Sequence, residues 1–195
     1  MIVEVVDKLI DRCLQLINHR KDQNQQLYSD FIVPAMSSFE ELHRGYIESF
    51  SLYRELVQST DCPMDLSHPV FEKIRKDSSL SSVLRAKTSA LNSFDGDPIV
   101  GSFIRGITLY VLGQEQYTAV ILNGHRPIPN AARQRITKGL NEIVETSISD
   151  QDKRCQSLAV IDEVTAERQG EYFYIISEFS KLKAKLLNST LQSRD

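Results

Sequence analysis

The stretch Tyr28–Leu56, YSDFIVPAMSSFEELHRGYIESFSLYREL, decides the fold, because mostly large side chains recur there in alternating steps of four and three residues. This spacing is typical of a helix that packs lengthwise against another helix. Four heptads follow it without a change of phase. The positions are Tyr28, Ile32, Ala35, Phe39, Leu42, Tyr46, Ser49, Tyr53 and Leu56.

The seam continues across Pro34, where the missing backbone donor predicts a break or a kink. We therefore expect one long helix over residues 1–58, kinked near Asp30–Pro34, with two abutting helices as the alternative. A helix of that length is about 85 Å long at ~1.5 Å per residue. Because no globule of 195 residues is that wide, part of it must protrude or pair lengthwise.

The remaining chain, residues 70–188, is predicted to form the rest of a helical bundle. Asp97-Pro98 has the chemistry of a helix start, and Ser149 with Asp152 has the spacing of a capping box. The seam that follows is interrupted by Thr165 and Arg168 close to Gly170, which predicts a kink or split there.

Two points of detail concern single segments. Residues 189–195 are expected to be a frayed tail. A β-hairpin pairing TLYVL (Thr108–Leu112) with YTAVIL (Tyr117–Leu122) is the alternative to a helix that continues through both.

The fold class predicted is all-α, a single domain. We expect an elongated bundle of five to seven helices whose long N- and C-terminal helices pack antiparallel or as a coiled-coil-like pair. The content of 41% hydrophobic and 25% charged residues is ordinary for a globular protein.

Composition restricts location and partners. The formal net charge of −3 gives no electrostatic reason to expect a nucleic acid or an anionic membrane. No segment reaches the ~20 apolar residues that span a bilayer, and Glu4 and Asp7 are unlike a signal peptide. The three scattered cysteines predict free thiols in the cytoplasm and no cysteine-built zinc site.

The motifs of common enzymes are missing from the sequence: there is no phosphate-binding loop, dinucleotide fingerprint or nucleophile elbow. Glu40-x-x-His43 has the spacing of a di-iron ligand pair, but that site needs a second copy, which the chain lacks. We therefore predict no metal and no cofactor, and interpret His43 as a half-exposed structural histidine.

Arg12 and His19 are separated by six residues and lie two turns apart on one helix face. This spacing resembles the Arg-x(4–6)-His motif of HEPN ribonucleases, which are small all-helical proteins. The resemblance implies a metal-independent ribonuclease in which Arg12 holds the scissile phosphate and His19 moves a proton. The chain departs from the family pattern at Cys13, where a polar residue is usual, and in the N-terminal position of the motif.

A helical nucleic-acid-binding protein is a further alternative, and an unfavoured one. The densest basic run comprises Arg126, Arg133, Arg135 and Lys138, but Arg133 points nearly opposite to Arg135 on a helix. A solvated helix surface accounts for that run better than a binding patch does.

The function predicted first is therefore non-enzymatic. We expect a protein–protein interaction or assembly subunit that acts through long amphipathic helices, as a homodimer or with another subunit. Tyrosine suits an interface that is partly hydrated. The interface residues predicted are Tyr28, Phe31, Ile32, Phe39, Leu42, Tyr46, Phe50 and Tyr53.

Overall fold

The computed structural model describes residues 2–19, 26–59, 91, 96–112 and 131–192, and these residues form five α-helices and no strand. The all-α prediction is thus confirmed for this part of the chain. The helices are α1 (Ile2–Asn18), α2 (Val33–Ser59), α3 (Gly101–Leu112), α4 (Ala131–Val144) and α5 (Asp150–Gln192). A π-helical turn, Leu27–Ile32, leads directly into α2.

The helix is continuous through Pro34, as predicted. The irregularity falls just before the proline, where the N–H of Val33 donates to the carbonyl of Tyr28, five residues back. A π-helical turn is wider than an α-helical turn. The helix therefore accommodates the proline ring next to a local widening instead of ending there.

The predicted single helix over residues 1–58 is wrong, because α1 ends at Asn18 and packs on α2. Lys8 forms an exposed salt bridge of 3.2 Å with Glu41, and the ring of His19 stacks on Phe31 at 4.4 Å. Lys8 lies eleven residues before His19 and Glu41 ten residues after Phe31, so the two helices run antiparallel. The argument for a protruding helix of about 85 Å no longer holds.

Helix α5 packs along three other helices. Arg54 of α2 bridges to Asp162, and Tyr28 before α2 stacks on Phe179, so α2 and α5 are antiparallel. Helix α3 runs the same way as α2, since Lys185 donates to the carbonyl of Pro98 and Arg168 to that of Tyr110. The N-terminal half of α5 forms a helical hairpin with α4, where Arg135 faces Glu163 and Glu167. The predicted antiparallel packing of long helices is therefore present, with α2 and α5 as the pair.

Helix starts follow the predicted capping chemistry. The carboxylate of Asp97 accepts from the backbone N–H groups of Ile99 and Val100, at 2.9 and 3.1 Å. The hydroxyl of Ser149 accepts from the N–H of Asp152 at 3.2 Å. Both contacts satisfy donors that a helix N-terminus leaves without a partner.

The structure favours the helix over the alternative hairpin, and it corrects two local predictions. Thr108–Leu112, the first strand of the alternative hairpin, belongs to α3, and its proposed partner Tyr117–Leu122 lies outside the described residues. The backbone stays helical to Gln192, beyond the start of the predicted tail at residue 189. Helix α5 is not split at Thr165 and Arg168, since it runs from Asp150 to Gln192 without a break. The Thr165 hydroxyl bonds to the Ile161 carbonyl at 2.7 Å, and Arg168 has partners in the core.

Candidate functional site

Most of the predicted interface residues lie inside the monomer. Phe31 and Tyr28 are half-buried, and the other six are buried, as are the apolar residues that α1, α3 and α5 contribute to the same core. A surface already covered by the same chain is not free to bind a second one. The prediction that this seam is an intermolecular interface is therefore wrong for this structure. The six buried residues are Ile32, Phe39, Leu42, Tyr46, Phe50 and Tyr53.

The most unusual feature of this core is a buried arginine. Arg168 is only 2% exposed, whereas arginine is rarely buried unless its charge is paired. Its guanidinium donates to the backbone carbonyl of Tyr110. The guanidinium carbon, Cζ, lies 4.5 Å from the ring centre of Tyr110 and 5.3 Å from that of Tyr46, within range of a cation–π contact.

The charge of Arg168 is balanced by Glu171 on the next turn of α5, with 3.0 Å between Nη1 and Oε2. That carboxylate oxygen has no hydrogen bond of good geometry, so the contact is an ion pair. Burial raises the pKa of Glu171, and the neighbouring guanidinium opposes that rise. Arg168 and Glu171 therefore form an ion pair of balanced charge among side chains that are otherwise aromatic.

His43 joins this layer from α2. A hydrogen bond of 2.8 Å connects Nδ1 of His43 with the hydroxyl of Tyr110, and the imidazole stacks on Tyr172 at 4.1 Å. Burial, and then the charge of Arg168, lower the pKa of His43, so the neutral ring is favoured. Burial raises the pKa of the Tyr110 hydroxyl, which keeps its proton.

We call this set the Arg168 cluster: His43 and Tyr46 of α2, Tyr110 of α3, and Arg168, Glu171 and Tyr172 of α5. These contacts require each of the three helices to be rotated about its own axis so that the cluster residues face one another. The cluster therefore fixes the orientation of the helices relative to one another. The sequence prediction treated Arg168 as a defect in the seam. The signal that could have found it is Arg168-x-x-Glu171, a charge pair spaced for one helix face within a hydrophobic run.

The Arg168 cluster predicts a loss of stability at acid pH. Because the pKa of His43 lies below its ordinary value of 6.5 in the folded chain, the unfolded chain takes up that proton more readily. The free energy of unfolding should fall as the pH decreases through 6.5 toward the folded pKa. The raised pKa of Glu171 acts in the opposite direction, so the comparison must isolate His43.

His43→Gln removes the titrating ring and keeps a group that can bond to Tyr110. Urea unfolding followed by circular dichroism at pH 7.5 and 5.5 should show a smaller loss of stability for His43→Gln than for the natural chain. Equal losses in the two proteins would contradict the assignment to His43.

The ribonuclease alternative receives no support from new contacts. Arg12 bonds to Gln15 on its own helix at 3.3 Å. The ring of His19, just beyond the end of α1, has one face covered by Phe31. The hypothesis that Arg12 and His19 act together on RNA stays a prediction.

Within the part of the chain that the structure describes, no group of three or more His, Cys, Asp or Glu side chains is placed to hold a metal ion. Arg135 is ion-paired with Glu163 and Glu167, and Lys138 with Glu142, so these cations of the basic run face carboxylates. Among the helices described, none is long and apolar enough to cross a bilayer.

A second feature lies on the surface. Phe173 is 67% exposed and Tyr174 is 46% exposed, side by side in the middle of α5. Small exposed residues flank them on the same side of the helix. We call this surface the Phe173 face, and its residues are Ala166, Gly170, Phe173, Tyr174 and Ser177.

Comparisons with known proteins add no assignment: no family model, no curated protein and no solved structure matches the chain at a significant level. The fold and these two features are therefore the basis for any functional conclusion.

Proposed function

We propose that the protein is a non-enzymatic assembly subunit that acts through helix–helix contacts, and that the Phe173 face of α5 is its contact surface. The exposure of Phe173 carries this proposal. An aromatic ring that is two-thirds exposed leaves a large apolar area in water, and aromatic residues are enriched where proteins meet.

The surroundings of Phe173 support a helix as the binding element. Ala166, Gly170 and Ser177 have small side chains or none, and a side chain at Gly170 would meet open space. Small residues let a second helix approach closely, so that a large side chain can enter the space between turns. Helix α5 has 43 residues and is about 64 Å long at ~1.5 Å per residue.

A reducing cytoplasmic setting completes the proposal. Cys13 is buried and Cys155 is exposed, and both are free thiols. Free exposed thiols persist best in reducing compartments.

Replacing Phe173 with serine should weaken association by about tenfold or more, since a central aromatic contact contributes ~2 kcal/mol or more in typical interfaces. The measurement is solution mass by light scattering on a size-exclusion column at several concentrations. Leu52→Ser is the matched control, because Leu52 is 50% exposed but lies on α2, and it should leave association unchanged.

The proposed contact surface would be excluded by an assembly whose mass and affinity do not respond to Phe173→Ser. A larger effect of Leu52→Ser than of Phe173→Ser would move the surface to α2.

A further inference from the structure

One flank of α5 carries a symmetrical arrangement of charge. At about 100° per residue, Glu163, Glu167, Tyr174, Lys181 and Lys185 all fall within about 40° of one another around the helix. Their spacings are four, seven, seven and four residues, so the carboxylates and the ammonium groups stand at equal distances on either side of Tyr174. All five residues are exposed.

We infer that a second copy of this chain covers the Phe173 face, with the two α5 helices antiparallel and related by a two-fold axis beside Tyr174. This inference rests on the proposed function and names its partner. In that arrangement Glu163 of each copy lies opposite Lys185 of the other, and Glu167 lies opposite Lys181. Residues on the same flank of two antiparallel helices face each other, so every pairing on this flank is between opposite charges.

The contacts within one chain leave charge available for these pairings. Glu163 and Glu167 share the single guanidinium of Arg135, so among the described residues two carboxylates face one cation. Lys181 pairs with Glu178, and Lys185 donates to a backbone carbonyl, so in the described part of the chain two ammonium groups face one carboxylate at the other end. In a parallel pair the same flank of the two copies lies on opposite sides of the contact, so neither Glu163 with Lys185 nor Glu167 with Lys181 could pair. Charge therefore selects a second copy in the antiparallel orientation.

The centre of the face fits the same axis. Phe173 is one residue from Tyr174, so the two copies of Phe173 meet close to the axis. Gly170 and Ser177 lie on either side, four and three residues away, so Gly170 of one copy lies opposite Ser177 of the other, and a side chain at Gly170 would meet open space within its own chain. The small residues of the two copies thus lie opposite each other on both sides of the two Phe173 rings, which lets the helices approach closely there.

Charge reversal tests the pairing directly. Glu163→Lys with Glu167→Lys, and Lys181→Glu with Lys185→Glu, should each weaken the dimer about tenfold or more, since four exposed pairs at ~0.2–1 kcal/mol each become repulsive. Mixing the two double variants should restore dimers, and so should the single chain that carries all four changes. Circular dichroism and urea unfolding check that every variant is folded.

Cross-linking tests the register. Gly170→Cys and Ser177→Cys are placed separately in a chain with Cys62→Ser and Cys155→Ser, while the buried Cys13 stays. Under mild oxidation the mixture of the two proteins should give a disulfide-linked dimer. Neither protein alone should do so, because its own cysteines would be about 9–12 Å apart along the helix axis, beyond the reach of a disulfide.

The outcomes separate this inference from the proposed function. A chain that stays monomeric at every concentration overturns the second copy as partner. A dimer that responds to Phe173→Ser, but not to charge reversal or to the mixed cysteines, overturns the antiparallel register and keeps the surface. A dimer that ignores Phe173→Ser overturns the surface itself, and the inference with it.

Discussion

Replacing Arg168 with alanine is expected to lower the free energy of unfolding by about 3 kcal/mol, the low end for removal of one partner of a buried ion pair, because Arg168 is buried but the Glu171 side chain is 36% exposed. The change takes away the donor to the Tyr110 carbonyl and the cation beside Glu171. It also leaves a space between the rings of Tyr46 and Tyr110. The measurement is urea unfolding at neutral pH, followed by circular dichroism.

The matched control is Arg135→Ala. Arg135 is ion-paired as Arg168 is, in its case with two carboxylates, but its side chain is 45% exposed. Exposed ion pairs contribute about 0–1 kcal/mol. A loss for Arg168→Ala as small as that for Arg135→Ala would show that the Arg168 cluster does not hold the helices together. Arg168→Met combined with Glu171→Gln should recover part of the loss, because it leaves no unpaired charge.

The second large effect is expected for Phe39→Ala, which should lower the free energy of unfolding by about 3–5 kcal/mol. Phe39 is fully buried. Its ring meets the edge of Tyr110 at 4.9 Å and stacks with Tyr172 at 5.7 Å. Phe173→Ala removes the same atoms from an exposed position, and it should change the stability of the monomer by no more than about 0.5 kcal/mol.

The two substitutions distinguish a core residue, Phe39, from Phe173, the residue that we propose for the contact surface. Phe39→Ala should destabilise the fold, while Phe173→Ala should alter association and leave the fold intact. Light scattering and unfolding measurements on both variants make the comparison. A stable Phe39→Ala chain whose only change is in oligomeric mass would return Phe39 to an intermolecular surface.

The sequence predicted the helices well because their signals are local. The spacing of Phe39, Leu42 and Tyr46 is a property of neighbouring turns, and the capping side chains of Asp97 and Ser149 act on their own helices. It could not show where the first helix ends, since the polar segment around Asn18–Gln26 contains no glycine or proline. Nor could the heptads show what covers them, because a helix of the same chain and one of another chain need the same pattern.

The Arg168 cluster shows which contacts the sequence could not predict, namely those between residues far apart along the chain. His43 and Tyr110 are 67 residues apart in sequence yet share a hydrogen bond, and Arg168 meets Tyr110 over 58 residues. Periodicity describes one helix at a time, so an arginine at a seam position is interpreted as a defect until its partners on other helices are known. The exposed Phe173 was hidden for the same reason, since its exposure depends on which side of α5 the other helices occupy.

The antiparallel packing of α2 on α5 has a consequence for synthesis on the ribosome. Phe39 and His43 of α2 find their partner Tyr172 only after another 130 or so residues have been added. At about 5–20 residues per second, that takes roughly 7–27 s. Throughout this interval the aromatic side of α2 lacks the helix that finally covers it. We therefore expect the aromatic side of α2 to be exposed until α5 has been made, and a chain whose translation stalls before α5 to aggregate more readily than the complete one.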